Sequence, residues 1–244
     1  IHSKSHNLKG RGMGSIEKRK VDDVVKLLAE VKDDPNVLNI LNMKINQNLC
    51  DILRILIAIL TSNNFPQKIL CPAFIVLTNL TSPAGANKTN TLKSIFQKQI
   101  SPSEQSALHS FLMRRMFDSD VTISNHARDC LINLFVINFP QSFEDVCAIV
   151  AIIIEGPQQL SSFLSRDMSI EDIIPLLNYM KGVLRHKYTI NNKASLTLGD
   201  FLPALASLLE VEESITLEVL ETIEACIPYI DLDLVGPLME TLNQ

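Results

Sequence analysis

The chain has 244 residues, 46% of them hydrophobic and 20% charged, with a formal net charge of −5. That apolar content is enough to bury a continuous core, which excludes disorder across the whole chain. Leu, Ile and Val dominate, Trp is absent and Gly occurs only 8 times, a composition suited to packed helices and not to a turn-rich β protein.

The first fifteen residues carry Gly10, Gly12 and Gly14 among basic and His residues and show no apolar period. They read as a flexible arm, and Gly12-Met13-Gly14-Ser15 resembles a cloning remnant. Extended to Lys20, the arm holds six basic groups against Glu17 alone. From Val21 onward, residues 21–244 read as a single helical-repeat domain. Val21, Val24, Val25, Leu28 and Val31 form a helical stripe that breaks at Asp33-Asp34-Pro35, predicting a helix over 21–32. Leu49, Ile52, Leu53, Leu56, Ile57 and Leu60 predict a buried inner helix that stops at Thr61 to Asn64. A further helix follows Pro66, runs through Ile69 to Leu80 and ends at the breaker Ser82-Pro83-Ala84-Gly85.

Ser101-Pro102-Ser103-Glu104 predicts a capped start: Ser101 as cap, Pro102 in the first helical position and Glu104 reaching back as in a capping box. Its apolar face is Leu108, Phe111, Leu112 and Met116. Similar segments follow over 122–138, 142–154, 157–165, 169–187, 194–209, 213–227 and 232–242. About a dozen helices with short connections predict an all-α fold, an α–α superhelix rather than a closed bundle.

An internal match supports repetition. Ala73 to Leu80 and Ala127 to Leu134 share the pattern A-x-x-x-L-x-N-L, 54 residues apart. Both stretches resemble the inner helix of armadillo repeats, and the alternating helix pairs are similar to HEAT repeats. The spacing exceeds a single repeat of about 40–47 residues, which points to an insertion at residues 82–90 or to a chance match. Phe117 to Leu131 resembles the turn and second helix of HEAT repeats in TOG and CLASP-type microtubule regulators. The absence of Trp and the acidic C-terminal end weigh against direct contact with acidic tubulin, so that likeness implies a protein-binding domain within such a regulator.

The resemblance to armadillo proteins implies that Asn79 and Asn133 face a groove and hydrogen-bond the backbone of an extended peptide. The alternative is an amide that ties down a neighbouring interhelix loop, because an unpaired buried amide costs about 1–3 kcal/mol. Arg128 would join Asn79 and Asn133 in contacting the ligand's backbone or its acidic side chains, and Arg185 and Lys187 would extend the positive surface of that groove. The cluster Lys181, Arg185, His186, Lys187 and Lys193 is equally a solvated helix end, where cations complement the dipole. The stretch from Ala194 to the last residue holds ten acids and neither Lys nor Arg, which repels phosphate backbones and makes nucleic acid a poor partner there.

His126 and Cys130 lie four apart on one predicted helix and can share a metal or form a nucleophile–base pair; a capping His and a core Cys is the bland reading. No phosphate loop, dinucleotide fingerprint, nucleophile elbow or H-E-x-x-H motif occurs, so no cofactor is implied. The five cysteines stand singly among apolar neighbours, which fits reduced thiols in cytosol or nucleus. The longest apolar run, Val146 to Ile154, is far short of the roughly 20 residues a membrane span needs.

Three functions stay open. The first is a non-catalytic protein-interaction scaffold, within a cytoskeletal, microtubule-associated or nuclear-transport regulator. The second is a metal-dependent or enzymatic domain around His126 and Cys130. The third is nucleic-acid binding through the basic arm. The oligomeric state is left open.

Overall fold

The computed structural model describes residues 15–30, 40–41, 43–45, 47–62, 65–82, 86–138, 170–186, 201–211 and 213–229. Among the described residues there is no strand. The chain groups into two compact units, Ile1–Ala73 and Phe74–Gln244. The segments expected over 142–154, 157–165 and 232–242, and with them Cys147, lie outside the described residues, as does Lys187.

The first unit opens with α1, Ser15–Glu30. It starts six residues before the apolar stripe does, because Glu17, Lys18, Arg19 and Lys20 are good helix formers and extend the helix on propensity alone. The residues expected to belong to the arm therefore supply its first turns. Helix α2, Leu49–Thr61, packs against α1 and buries Ile52, Leu53, Ile55, Leu56, Ile57, Ile59 and Leu60. Its apolar residues occupy more than one stripe, as expected of a helix with neighbours on several sides. Leu41 and Ile45 add to the core of this unit. Lys20 and Asp51 close the α1–α2 pair with an exposed ion pair of 2.6 Å.

Helix α3, Gln67–Thr81, contains Pro72, which withholds one backbone donor from its second turn. The division between the two units falls just after it, between Ala73 and Phe74. In the second unit come α4, Ala86–Lys98; α5, Pro102–Arg115; and α6, Val121–Asn138. After them come α7, Ile174–Arg185, entered through a 3-10 turn over Ile170–Ile173, then α8, Phe201–Val211, and α9, Thr216–Cys226. Helix α9 is flanked by 3-10 turns at Glu213–Ile215 and Ile227–Tyr229.

Helix α4 corrects the sequence reading, which treats residues 82–90 as a loop. Asn87, Lys88, Thr89, Asn90 and Thr91 carry no apolar period, and only Leu92, Ile95 and Phe96 are buried in its second half. Tertiary packing against α6 therefore holds a helix that local pattern does not announce. It also accounts for the 54-residue spacing of the internal match: two helices, α4 and α5, separate α3 from α6. Gln105 ties α4 to α5 by donating from Nε2 to the carbonyls of Phe96 and Ile100, at 2.7 and 2.9 Å.

The start of α5 follows the sequence closely. Ser101 Oγ accepts from Glu104 N at 3.3 Å, and the Glu104 carboxylate accepts from Ser101 N at 2.8 Å, closing the capping box behind Pro102. Along this part of the chain, α6 packs on α4, α5 and α7, and α9 packs on α7 and α8. At the α6–α7 contact, the Ile132 side chain lies over Gly182 and its Cδ1 fills the space a Cβ would take.

Candidate functional site

The polar residues singled out in the apolar helices meet one another. Thr78 and Thr81 of α3 turn their hydroxyls back onto the carbonyls of Phe74 and Leu77, both at 2.8 Å, which satisfies them inside an apolar contact. Opposite them on α6, Asn133 Nδ2 donates to the Thr78 carbonyl and to Thr81 Oγ1, each at 3.3 Å. Cys130 Sγ stands 3.1 Å from Thr78 Oγ1, and His126 Nδ1 stands 3.5 Å from the same oxygen. These five residues form a polar seam between two helices.

The two helices of the internal match place their asparagines differently. The two share their buried register, with Ala73, Leu77 and Leu80 matched by Ala127, Leu131 and Leu134 in the core. Asn79 is exposed on α3, whereas Asn133 is directed at α3 and engaged there. Arg128 is half-buried on α6, with its Nε 3.7 Å from Asp129.

The chemistry of the His126 and Cys130 pair follows from burial. Desolvation pushes the Cys130 thiol up to about 12, so it is a neutral core thiol and not a thiolate nucleophile. A structural zinc site needs four ligands, and among the described residues no group of three or more His, Cys, Asp or Glu side chains is placed to hold a metal. Below the seam, Phe74 stacks on Phe111 of α5 at 5.7 Å between ring centroids, and the Arg115 guanidinium lies 5.4 Å from the Phe111 ring. Arg115 also pairs with Asp118 at 2.7 Å, and Asp118 accepts from Asp120 N, so the acidic turn before α6 is held from within.

The basic cluster at the end of α7 is met by the acidic α9. Lys181, only 8% exposed, donates to Glu221 at 2.5 Å, and Arg185 reaches Glu224 at 2.6 Å and the Glu221 carbonyl at 3.4 Å. The Lys181 ammonium holds the Glu221 carboxyl below its ordinary value. Tyr229 then donates its hydroxyl to the Leu184 carbonyl at 2.5 Å, satisfying an end group of α7, and burial raises that phenol to about 12. The charge imbalance along the sequence is thus partly closed between neighbouring helices.

On its other side, α9 presents what the sequence reading missed. Val219, Thr222, Ile223 and Cys226 are buried, yet Leu217 is 65%, Leu220 46% and Ile227 61% exposed. Counted in threes and fours, Leu217, Leu220 and Glu224 share one helix face, Ile227 follows in the 3-10 turn at its end, and Glu213 is exposed before it. The signal was present in the sequence: α9 has apolar residues at both Val219/Ile223 and Leu217/Leu220, and a helix packed on one side only needs the first set. Among the described residues, Val121, Met43, Ile40 and Ile75 are also exposed. No helix of the described residues is long and apolar enough to cross a membrane.

No protein-family model matches this sequence, and no curated protein matches it. A solved structure, the "Kap95:Nup1 complex", is similar in fold, with a TM-score of 0.64 over 91% of this chain at 14% identity. This chain spans 26% of the length of that one. At such identity the likeness speaks for the fold, and the fold is an all-α superhelical repeat of the HEAT and armadillo kind.

Proposed function

We propose that this chain is a non-catalytic protein-interaction module whose contact surface is the outer face of α9. The observation that carries this reading is the run Leu217 and Leu220 on α9 and Ile227 at the turn that follows it, exposed where the opposite face of the helix is already buried. Contiguous apolar residues held in water on a rigid helix are unfavourable unless a partner covers them. The buried, protonated Cys130 thiol speaks against nucleophilic catalysis at the α3–α6 seam. The similar Kap95:Nup1 structure is that of a complex, in keeping with a repeat fold that serves as a platform for other proteins. The singly placed cysteines favour a reducing compartment, cytosol or nucleus.

The residues nominated from the sequence take narrower roles in this proposal. Arg185 orients Glu224 beside the apolar run, Asn133 braces α3 against α6, and Asn79 joins Ile75 in a smaller contact on the outside of α3. Arg128 is given no direct contact. The test is affinity capture with the full chain against the triple variant Leu217→Gln, Leu220→Gln, Ile227→Gln, with Val121→Gln as the control for an exposed apolar residue elsewhere. Proteins retained by the wild type and the control and lost by the triple variant support the face. A triple variant that retains every partner overturns it.

A further inference from the structure

Glu224 lies inside the apolar run of α9, and its position says what the partner carries. Leu217, Leu220, Glu224 and Ile227 stand in the alternating three- and four-residue spacing of a helix–helix seam. From Leu217 to Ile227 the seam covers about 15 Å, the length of roughly three turns of a second helix. A helix laid along it would desolvate the Glu224 carboxylate, and a carboxylate taken out of water without an opposite charge is strongly unfavourable.

Among the described residues, Arg185 reaches Glu224 from the α7 flank. Both side chains of that pair are mostly in water, 50% and 69% exposed, so the bridge contributes little on its own and leaves the carboxylate open on the solvent side. Lys181 is already committed to Glu221, and the sequence holds no Lys or Arg after Lys193. At the N-terminal end of the face, Glu213 is exposed and adds a second negative group. Glu213 and Glu224 thus stand beside the apolar residues with Arg185 as their flanking cation.

We infer that the occupant of this face is a cationic amphipathic helix from another protein, with aliphatic residues against Leu217, Leu220 and Ile227 and Lys or Arg against Glu224 and Glu213. This rests on the reading of the α9 outer face as a protein-binding surface. An acidic helix would set its carboxylates against Glu213 and Glu224, where the cation at hand, Arg185, is half in water and already paired, and a strand would not match the three- and four-residue spacing.

The experiment uses the full chain and three synthetic peptides. One carries Leu at helical spacing flanked by Lys and Arg; the second has the same Leu pattern flanked by Glu; the third is a scramble of the first with identical charge. Binding is followed by fluorescence anisotropy at low and high salt. The cationic peptide is expected to bind, to lose roughly tenfold or more in affinity on Leu217→Gln, Leu220→Gln, Ile227→Gln, and to weaken on Glu213→Gln, Glu224→Gln with a shallower salt dependence. Circular dichroism checks that both variants keep their helix content. Failure of the cationic peptide to bind, or equal binding by its scramble, overturns the inference. A Glu-flanked peptide that binds as well and is lost on the triple variant overturns the cationic partner while leaving the face in place. Binding of the cationic peptide that ignores the triple variant overturns the face itself. Concentration-dependent dimers in sedimentation, abolished by the triple variant, would make the occupant a second copy of this chain and overturn the inference in favour of self-association.

Discussion

The α3–α6 contact and the outer face of α9 invert the usual placement of residues in opposite directions. In the first, an amide, two hydroxyls, an imidazole and a thiol sit among aliphatic side chains between two helices. In the second, two leucines and an isoleucine stand in water on a helix that has already buried its other side. Polar groups inside can be satisfied by one another and so hold a structure together. Apolar groups outside have no such resolution within the described residues. The contrast assigns stability to the seam and binding to the face, and each assignment can be broken separately.

The largest effect belongs beneath the seam. Phe74 is fully buried and stacked on Phe111, so Phe74→Ala removes both an aromatic volume and a ring contact. The expected loss is about 3–5 kcal/mol in chemical denaturation followed by circular dichroism. A loss well under 2 kcal/mol would mean that this layer is loosely packed and that the core of the second unit lies elsewhere.

Asn133→Ala comes next, and it separates the two roles the sequence leaves open for that residue. Removing the amide leaves the Thr78 carbonyl and the Thr81 hydroxyl without it, with an expected cost of about 1–2 kcal/mol and no change in partner affinity. Unchanged stability with reduced affinity would restore the groove contact that the armadillo resemblance implies.

Why that role was not legible in the sequence is physical. The pattern shared by Ala73–Leu80 and Ala127–Leu134 encodes which side of each helix is buried, and that much is the same in both. It does not encode which helix stands opposite, and there the two asparagines part. The capping box at Ser101 and the buried helix Leu49–Thr61 were legible because both are local, set by residues within one or two turns. Helix α4 was not, because its first half carries no apolar period and the helix packs on α6, a segment further along the chain. In the same way the basic end of α7 reads as a solvated cluster until α9 brings Glu221 to Lys181, 40 residues away.

That ion pair gives a smaller, pH-resolved prediction. The Glu221 carboxyl titrates below its ordinary value in the folded chain because of Lys181. Its contribution to stability is therefore complete above the ordinary carboxylate range and is lost as the pH falls through the folded value. In carboxyl-detected NMR titrations, Lys181→Met should move Glu221 back up toward an ordinary glutamate and flatten this part of the acid limb. A midpoint that ignores the substitution would show that the two groups are not paired in solution.

The smallest effect on stability is expected where the largest effect on binding is. Leu217→Gln, Leu220→Gln, Ile227→Gln replaces three apolar side chains, a change that would unfold the domain if they were in its core. Here the side chains are largely in water, and glutamine matches leucine in helix propensity, so neither burial nor local helix preference is much disturbed. The combined change in unfolding free energy should stay within about 1 kcal/mol, close to what ordinary surface substitutions give. If the variant instead melts far below the wild type, the three residues are packed within the chain, the face is part of its core, and the comparison with the seam collapses. If stability holds while partner capture is lost, apolar side chains that contribute almost nothing to the fold are accounted for by binding alone.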